Sequence, residues 1–434
     1  MKKNTIFIFE FVSGGGFNRY NIPTSLFCEG FGMLRSIVTD FKMLGFEIYT
    51  TLDDKIHFLS KYLKADVIRK VEKSDNYVKI FKNLVNICKY VFIIAPETSK
   101  ILYNLTKIVK SSKKIVLSTN LNGIKYGALK IKTYKFFRDN KIPTPRTYKI
   151  PSKKNLLDQN YLIKRFRELN CPILIKPNDG VGAELIHYFN DESQILNYFT
   201  NYETILGKNR RYILQEFIEG RDLSISLIGN YNSSIDPLIL SVNSQNVMIK
   251  NSDSEYLGGY TPLENHKEII KDLSIIINRI KMIKIEGYFG IDFIRKSNHL
   301  LYFIEINPRL TTSYIGIRNV INFNCAELIL NSKSNFLKNP EIKFQNYSYF
   351  TRIDFFYNKD ENFKTLDSEL IPKLTEIVPE FVTPPISLNL ANFYSSFIAT
   401  KTKDLISSKN RLREILSTLE KMNFNIIKPK QPKL

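Results

Sequence analysis

The sequence predicts an α/β protein with an open parallel α/β domain at the N-terminus, a small antiparallel domain in the middle, and a central and C-terminal α+β domain with an antiparallel sheet. Residues 1–120 alternate short apolar runs with helical patterns, which is typical of a parallel sheet. Residues 285–318 contain two apolar runs separated by a polar turn at 296–299, which indicates a β-hairpin. The chain of 434 residues, 43% of them hydrophobic, is long enough for several packed domains.

Changes in pattern along the chain define four predicted regions. Residues 1–120 form the N-terminal domain, 121–147 a linker helix, 148–250 the small domain and 251–434 the last domain. The linker helix runs from Gly123 to Asn140 and ends in KIPTPRT, whose prolines impose an extended backbone. The strand-like TRIDFFY and a charged helix from Ser407 to Met422 complete the last domain.

The net charge of +21 raises the question of a nucleic-acid partner. The lysines are dispersed among Ile, Asn and Phe without a long basic block, as expected for a solvated surface, so nucleic-acid binding is the less favoured alternative. No stretch approaches the length of a membrane span, and no membrane partner is expected. The four cysteines form no CxxC pair and the four histidines are scattered, so we expect a reduced, cytoplasmic protein without a zinc site.

The N-terminal domain begins with a strand, a glycine loop and a helix. Thr5 to Val12 is apolar, SGGGF follows, and Ser25 to Leu44 has apolar residues at helical spacing. The loop lacks the GxGxxG spacing of a dinucleotide site, so we interpret it as a ligand-facing loop with Gly14 and Gly15 as candidate substrate contacts, and a plain tight turn stays open. Further strands are predicted at Phe46–Thr50, Asp66–Ile68, Tyr90–Ala95 and Lys114–Leu117.

The hairpin carries a candidate metal site. Glu305 and Asn307 are two residues apart and therefore lie on the same face of their strand, and hairpin pairing can bring Asp292 beside them. Carboxylates and an amide carbonyl are hard oxygen ligands that suit Mg²⁺. An acidic sheet face exposed to water is the alternative, but the apolar surroundings in YFIEINP favour residues that need partners.

A lysine within the apolar run PILIKP indicates an anion nearby. Lys176 lies in a stretch that reads as a buried strand, and a buried lysine is costly without a negatively charged partner.

Three motifs in order resemble the ATP-grasp superfamily of ligases. GIDF with FIEINPR resembles its magnesium-binding end, LKIKTYKFFRDNKIPTP the segment between its first two domains, and RYILQEFIEGRDLSISLI its adenine hinge. The resemblance makes residues 148–250 the ATP-grasp lid and implies ATP and Mg²⁺ as cofactors, with Mn²⁺ as an alternative metal. It places Lys130 and Lys176 on the phosphates, the backbone of Glu216, Phe217 and Ile218 on the adenine, and Asp222 on the ribose.

Two of these residue assignments have alternatives, and the sequence departs from the family pattern at two places. A surface lysine is the alternative for Lys130, before which Leu129 replaces the aspartate common in the family, and a solvated hairpin residue is the alternative for Asp222. The sequence DGVGAEL at 179–185 would close over the phosphates, although Val181 and Ala183 make it less glycine-rich than its counterparts.

Beyond the metal ligands, the segment PRLTTSYIGIR supplies a candidate catalytic residue and a candidate substrate contact. Arg309 follows them directly, where a guanidinium can neutralise a transferring phosphoryl group or hold a substrate carboxylate. Thr311 belongs to a segment that can form the acceptor pocket.

The implied reaction joins a small-molecule carboxylate to an amine through an acyl phosphate, with release of ADP and phosphate. FEFVSGGG, CEGFGMLRSIVTDF and EINPRLTTSYIG are most similar to the archaeal tyramine-glutamate ligases of methanofuran biosynthesis and their bacterial relatives, which implies a γ-glutamyl amide of an aromatic amine. Other carboxylate–amine pairs, a carboxylating enzyme that uses bicarbonate, and a non-catalytic nucleotide-binding protein are the alternatives. A homo-oligomer stays open.

Overall fold

The computed structural model describes residues 4–428, apart from 154–155, 181, 183–184, 203–209, 233–234, 250–253, 334–339, 358–362 and 389–391. Within these residues, three main sheets and a two-stranded ribbon carry the fold. The described helices include none that is long and apolar enough to cross a membrane.

The N-terminal sheet is parallel, as predicted. It has the strand order β3-β2-β1-β4-β5. The strands and the helices that accompany them are β1 (Thr5–Glu10), α1 (Thr24–Met43), β2 (Glu47–Asp53), β3 (Val67–Val71), α2 (Tyr77–Ile87), β4 (Tyr90–Ile94), α3 (Ile101–Ser111) and β5 (Ile115–Val116). Because the order reverses at β1, a crevice opens beyond the carboxyl ends of β1 and β4.

Helix α1 joins the first part of the chain to the last. Twelve of its residues are buried, so it is covered on several sides. The Arg35 guanidinium donates to the carbonyl of Phe381 at 2.8 Å, and the Thr383 hydroxyl donates to the carbonyl of Cys28 at 2.5 Å. One hydrophobic core therefore spans the N-terminal sheet and elements more than 200 residues further on, such as Tyr314 and Phe397.

The linker contains two helices where the sequence predicts one. They are α4 (Leu121–Gly127) and α5 (Lys130–Asp139), and Leu129 between them has an extended backbone. The amphipathic pattern of the sequence continues through the break and therefore does not reveal it. In the structure, Gly127 packs so close to Pro308 that a Cβ on Gly127 would lie 2.6 Å from the proline ring. The backbone N–H of Lys130 donates to the carbonyl of Asn178 at 2.8 Å, which ties the start of α5 to the middle domain.

The middle sheet is antiparallel, as predicted, and has the order β10-β9-β11-β6. Two helices accompany it. Its elements, with the ribbon β7–β8, are β6 (Thr147–Lys149), β7 (Ser152–Lys153), β8 (Leu156–Leu157), α6 (Gln159–Leu169), β9 (Ile173–Pro177), β10 (His187–Phe189), α7 (Glu192–Tyr202) and β11 (Tyr212–Glu216).

The third sheet has nine strands in the order β16-β15-β12-β13-β14-β17-β19-β18, with β20 pairing β17. Its elements are β12 (Arg221–Gly229), β13 (Leu238–Ile249), β14 (Ser254–Thr261), α8 (His266–Ile280), β15 (Gly287–Arg295), β16 (Leu301–Asn307), α9 (Ser313–Val320), α10 (Cys325–Asn331), β17 (Ser348–Tyr357), α11 (Phe363–Ile377), β18 (Phe381–Ile386), β19 (Phe393–Ala399), α12 (Leu405–Lys421) and β20 (Phe424–Lys428). The predicted hairpin is confirmed as β15 and β16.

This sheet corrects the assignment of residues 221–249. The sequence groups them with the small domain, whereas β12 and β13 pair with β15 and β14 of the nine-stranded sheet. The apolar pattern identifies both as strands but does not encode which partner they pair with. The middle sheet therefore ends at Glu216, and the chain crosses to the larger sheet between Phe217 and Gly220.

Candidate active site

The hairpin brings its three polar residues together on one face. Asp292 pairs with Glu305 across the hairpin, and Gly290 pairs with Asn307. The Asn307 amide nitrogen donates to one oxygen of Asp292 at 2.9 Å, and the amide of Gln245 donates to the other at 2.9 Å. The carbonyl oxygen of Asn307 is not used in this contact, so it can serve as a ligand. Gln245, on β13, was not predicted as part of the site.

Two lysines face this cluster from the other side. The Lys130 ammonium lies 2.6 Å from Glu305 and donates to the carbonyl of Gly180 at 2.9 Å. Lys176, on β9, is 4% exposed. The strand that carries Lys176 leads into Asn178, whose backbone and side-chain oxygens accept the N–H groups of Lys130 and Ile131. These hydrogen bonds join the start of α5 to the end of β9, so that Lys130 and Lys176 lie close together although they belong to different elements.

Burial and mutual charge shift the pKa values of this group. Burial, with a smaller contribution from the charge of Lys130, lowers the pKa of Lys176 to about 8 against the opposite effect of the carboxylates of Glu305, Asp292 and Asp222. Burial favours a higher pKa for Glu305, but Lys130 and Lys176 outweigh it and lower the pKa below its usual value. Burial and then the charge of Glu305 raise the pKa of Asp292.

The donor set fits a hard divalent cation. Two carboxylates and an amide carbonyl share one sheet face, and Mg²⁺ is bound by such oxygen groups while it keeps water and phosphate ligands. Burial and then repulsion from Glu305 raise the pKa of Asp292, and a bound cation would relieve that repulsion. No group of three or more His, Cys, Asp or Glu side chains arranged for metal binding occurs among the described residues, so the amide of Asn307 matters to this set.

The crossing from β11 to β12 forms a hinge along the cavity wall. The Glu216 side chain bonds to Arg146, and the Phe217 N–H donates to the carbonyl of Pro172 at 2.9 Å. The N–H of Ile218 donates to none of the described residues, so it is available to a ligand. Asp222 lies at the start of β12, where burial raises its pKa to about 6 against the lowering effect of Lys176.

Arg309 is held by a residue that the sequence did not single out. Its Nε lies 3.1 and 3.2 Å from the two carboxylate oxygens of Glu97, which is 7% exposed. Glu97 follows β4 at the carboxyl edge of the N-terminal sheet, where ligand-binding residues collect in parallel sheets. That position is the signal that could have identified it.

Of the three candidate substrate contacts, one lies on the cavity wall and two do not. The Thr311 hydroxyl lines the cavity and lies 2.9 Å from the Tyr288 hydroxyl and 2.8 Å from that of Ser313. Gly14 and Gly15 do not line it, because they pack against Thr51 and Val71 inside the N-terminal domain. Gly15 has a left-handed backbone with φ of +104°, so the glycine run serves a tight turn, and only Gly16 of that run reaches the cavity wall.

A single cavity of about 1570 Å³ connects these groups. It lies between the three sheets and is lined by the two lysines, the hinge, the hairpin cluster, Arg309 and residues from β1 and α1. Asp179, Gly180 and Gly182 of the predicted phosphate loop line it too, whereas Val181, Ala183 and Glu184 lie outside the described residues.

The fold and this constellation define an ATP-grasp enzyme. Residues 128–313 match the model of the ATP-grasp domain, and residues 46–124 match that of the pre ATP-grasp 3 domain. The chain also matches tyramine–L-glutamate ligase of Methanocaldococcus jannaschii with 30% identity, over 78% of this chain and 91% of that protein. The corresponding ligase of Methanocaldococcus fervens is 30% identical, over 76% and 94%. The chain belongs to the ATP-grasp family and is a ligase of the class that forms carbon–nitrogen bonds.

Solved structures agree on the fold. A putative ATP-grasp superfamily protein from Archaeoglobus fulgidus superposes with a TM-score of 0.59 at 20% identity, over 92% of this chain and all of that one. Biotin carboxylase from Campylobacter jejuni superposes with a TM-score of 0.65 at 15% identity, over 98% and 92%. The predicted ATP-grasp fold is therefore confirmed.

Proposed function

We propose that this protein is an ATP-dependent carboxylate–amine ligase that acts through an acyl phosphate and releases ADP and phosphate. The observation that carries the proposal is the convergence of Lys130, Lys176, the hairpin cluster and Arg309 on one cavity. The cavity contains two lysine cations that suit phosphates and a set of hard oxygen ligands that suits a metal. The guanidinium of Arg309 lies beyond them, toward the N-terminal domain.

The nucleotide binds along the hinge. The N–H of Ile218, which donates to none of the residues that the structure describes, and the neighbouring backbone carbonyls meet the adenine edge. Asp222 accepts hydrogen bonds from the ribose hydroxyls. Lys176 and Lys130 contact the phosphates, so that the buried charge of Lys176 gains an anionic partner.

Asp292, Glu305 and Asn307 would hold Mg²⁺, and the bound cation would neutralise phosphate charge. Lys130 shares Glu305 with this set, because its ammonium lies 2.6 Å from that carboxylate. One ion pair therefore links two binding events, that of phosphate at Lys130 and that of the cation at Glu305.

The chemistry needs position and charge more than a covalent group. One oxygen of the substrate carboxylate attacks the γ-phosphorus, the bond to the β-phosphate breaks, and ADP leaves. Arg309, fixed by Glu97, stabilises the negative charge on the phosphoryl and acyl oxygens. The amine then attacks the acyl carbon, the carbon–oxygen bond to phosphate breaks, and the amide and phosphate are the products.

Glutamate and an aromatic amine such as tyramine are the proposed substrates. The support is the similarity to two tyramine–L-glutamate ligases over most of both chains, at 30% identity. Bicarbonate-dependent carboxylation is the second candidate, because biotin carboxylase shares the fold.

A substrate screen tests the proposal. Carboxylates and amines are supplied pairwise with ATP and Mg²⁺, ADP release is followed, and product masses are measured. We expect ADP release that depends on both substrates and a product heavier than the acid by the amine less water. ATP hydrolysis that requires only bicarbonate would favour carboxylation, and ATP binding without turnover for any pair would leave a nucleotide-binding protein.

A further inference from the structure

Two amide groups hold Asp292, and only one of them belongs to the hairpin. The Asn307 nitrogen donates to one carboxylate oxygen at 2.9 Å, and the Gln245 nitrogen donates to the other at 2.9 Å. Gln245 lines the same cavity and lies on β13, which is separated from the hairpin by β12. Because an ionised carboxylate only accepts hydrogen bonds, both amides turn their nitrogen atoms toward Asp292.

The sheet places Gln245 on the face that carries the candidate metal ligands. Residues directly opposite one another on neighbouring strands point to the same face, and so do residues two apart on one strand. Asn243 pairs with Ser224, and Ser224 pairs with Asp292. Asp292 in turn pairs with Glu305. These four residues form one row across four strands, and Gln245 follows Asn243 by two positions on the same face.

A β-bulge lies directly beyond Gln245. Gln245 pairs with Gly259 of β14, and the next pair is Val247 with Tyr256, so one residue of β13 faces two of β14 between these pairs. One of the two, Gly258, has a left-handed backbone with φ of +97°, which favours glycine. Bulges bend a strand and re-aim its side chains, and they are common beside active sites. The direction of the Gln245 side chain is therefore set by the backbone of the sheet and not by a loop.

The two carboxylates of the cluster are held by partners of different charge. The ammonium of Lys130 lies 2.6 Å from Glu305, whereas both amide partners of Asp292 are neutral. A neutral donor orients a carboxylate without cancelling its charge. When it is ionised, Asp292 therefore keeps its negative charge for a cation, and each of its oxygens keeps a lone pair beyond the one that accepts the amide hydrogen.

We infer that Gln245 is a positioning residue that orients Asp292 for the divalent cation without itself touching that cation. The inference rests on the metal site of the proposed function. Side chains that hydrogen-bond to metal ligands fix the orientation of the ligand, and their loss typically weakens metal binding roughly 10- to 100-fold. Loss of the Gln245 amide should therefore weaken cation binding although no bond to the metal is removed.

Binding of Mn²⁺ to the ADP complex, followed by electron paramagnetic resonance, tests this role without turnover. Gln245→Met removes the donor at similar side-chain length and should raise the Kd of Mn²⁺ roughly tenfold or more. The affinity for ADP in the presence of EDTA should stay unchanged, because the variant keeps the hinge and both lysines. Gln345→Met, an exposed change outside the cavity, is the control and should alter neither affinity.

A double-mutant cycle shows whether Gln245 acts through Asp292. In an Asp292→Ala background, Glu305, Asn307 and the nucleotide phosphates can still bind the cation, but the acceptor of the Gln245 hydrogen bond is gone. Gln245→Met should then have little further effect on the Kd of Mn²⁺. A loss of the same size in both backgrounds would show that Gln245 contacts the cation or the nucleotide directly, and would overturn the inference.

The same measurements separate this inference from the proposed function. Equal Mn²⁺ affinity in wild type and Gln245→Met would overturn the inference alone. Absence of Mn²⁺ binding by the wild-type ADP complex would overturn the metal site and the inference together. Mn²⁺ binding that depends on Gln245, in a protein that forms no product from any carboxylate and amine, would support the inference and overturn only the ligase function.

A second variant keeps the test open if Gln245→Met fails to fold by circular dichroism. Gln245→Asn retains an amide but is one methylene too short to reach Asp292, so it should weaken Mn²⁺ binding in the same way. A folded Gln245→Asn with wild-type affinity for Mn²⁺ would equally refute the inference.

Discussion

Replacement of Lys176 by methionine should make the nucleotide-free protein more stable and should lower the activity of the enzyme. The side chain is 4% exposed, and its pKa lies near 8 in place of the usual 10.5. Since one pKa unit corresponds to about 1.4 kcal/mol, the buried charge costs about 3 kcal/mol below pH 8. Methionine fills a similar volume without that charge, so Lys176→Met should gain up to about 3 kcal/mol at pH 7.

The pH dependence follows from the direction of the shift. Between pH 8 and 10.5 the folded protein loses the proton of Lys176 while the unfolded chain keeps it, so the stability of wild type rises relative to the variant. The advantage of Lys176→Met should therefore be complete below pH 8 and vanish above 10.5. Addition of ATP with Mg²⁺ should reverse the order, because only wild type gains the phosphate contact.

Urea unfolding at pH 7, 9 and 10.5, with and without ATP and Mg²⁺, measures these effects. Lys107→Met, an exposed change on α3, is the control and should leave both stability and the nucleotide effect unchanged. A Lys176→Met protein less stable than wild type at pH 7 without nucleotide would show that the buried charge of Lys176 does not destabilise the fold. Equal stabilisation of both proteins by ATP would show that Lys176 does not contact the phosphates.

Three further predictions concern the same cavity. Glu305→Gln should keep its thermal unfolding midpoint within a few degrees but lose Mg²⁺-dependent turnover by roughly 100-fold or more, and near-normal kcat would remove Glu305 from the metal site. Glu97→Gln should lower kcat roughly tenfold or more with little change in the KM for ATP, because Arg309 loses its partner, and a change confined to KM would move Arg309 to the nucleotide site. ATP affinity should increase from pH 5 to 7 as Asp222, with its pKa near 6, loses its proton, and a titration of Asp222→Asn that kept this increase would assign it to another group.

The local geometry of the hairpin could be predicted from the sequence, because its cause is local. Residues two apart on a strand share a face, and a short polar turn fixes which strand pairs with which. Asp292 therefore pairs with Glu305 as expected, and Asn307 bonds to Asp292. The alternation of strands and helices likewise predicts the parallel N-terminal sheet.

Contacts between distant segments could not be predicted in this way. Glu97 and Arg309 are 212 positions apart and meet only because the N-terminal sheet packs against the hairpin. The membership of β12 and β13 in the larger sheet depends on pairing partners that an apolar pattern does not specify. The break before Lys130 coincides with contacts of Gly127 with Pro308 and of Lys130 with Asn178, which are distant in the sequence. The glycine run at Gly14 has the pattern of a ligand-facing loop, and only its packing against β2 shows that it forms a tight turn.

In the proposed mechanism, the substrate carboxylate attacks ATP at the γ-phosphorus. Turnover with a carboxylate labelled with ¹⁸O tests this step, because the attacking oxygen stays with the phosphate when the amide forms. We expect the label in inorganic phosphate, with ADP as the coproduct. Label in AMP, with release of pyrophosphate, would contradict the acyl-phosphate mechanism.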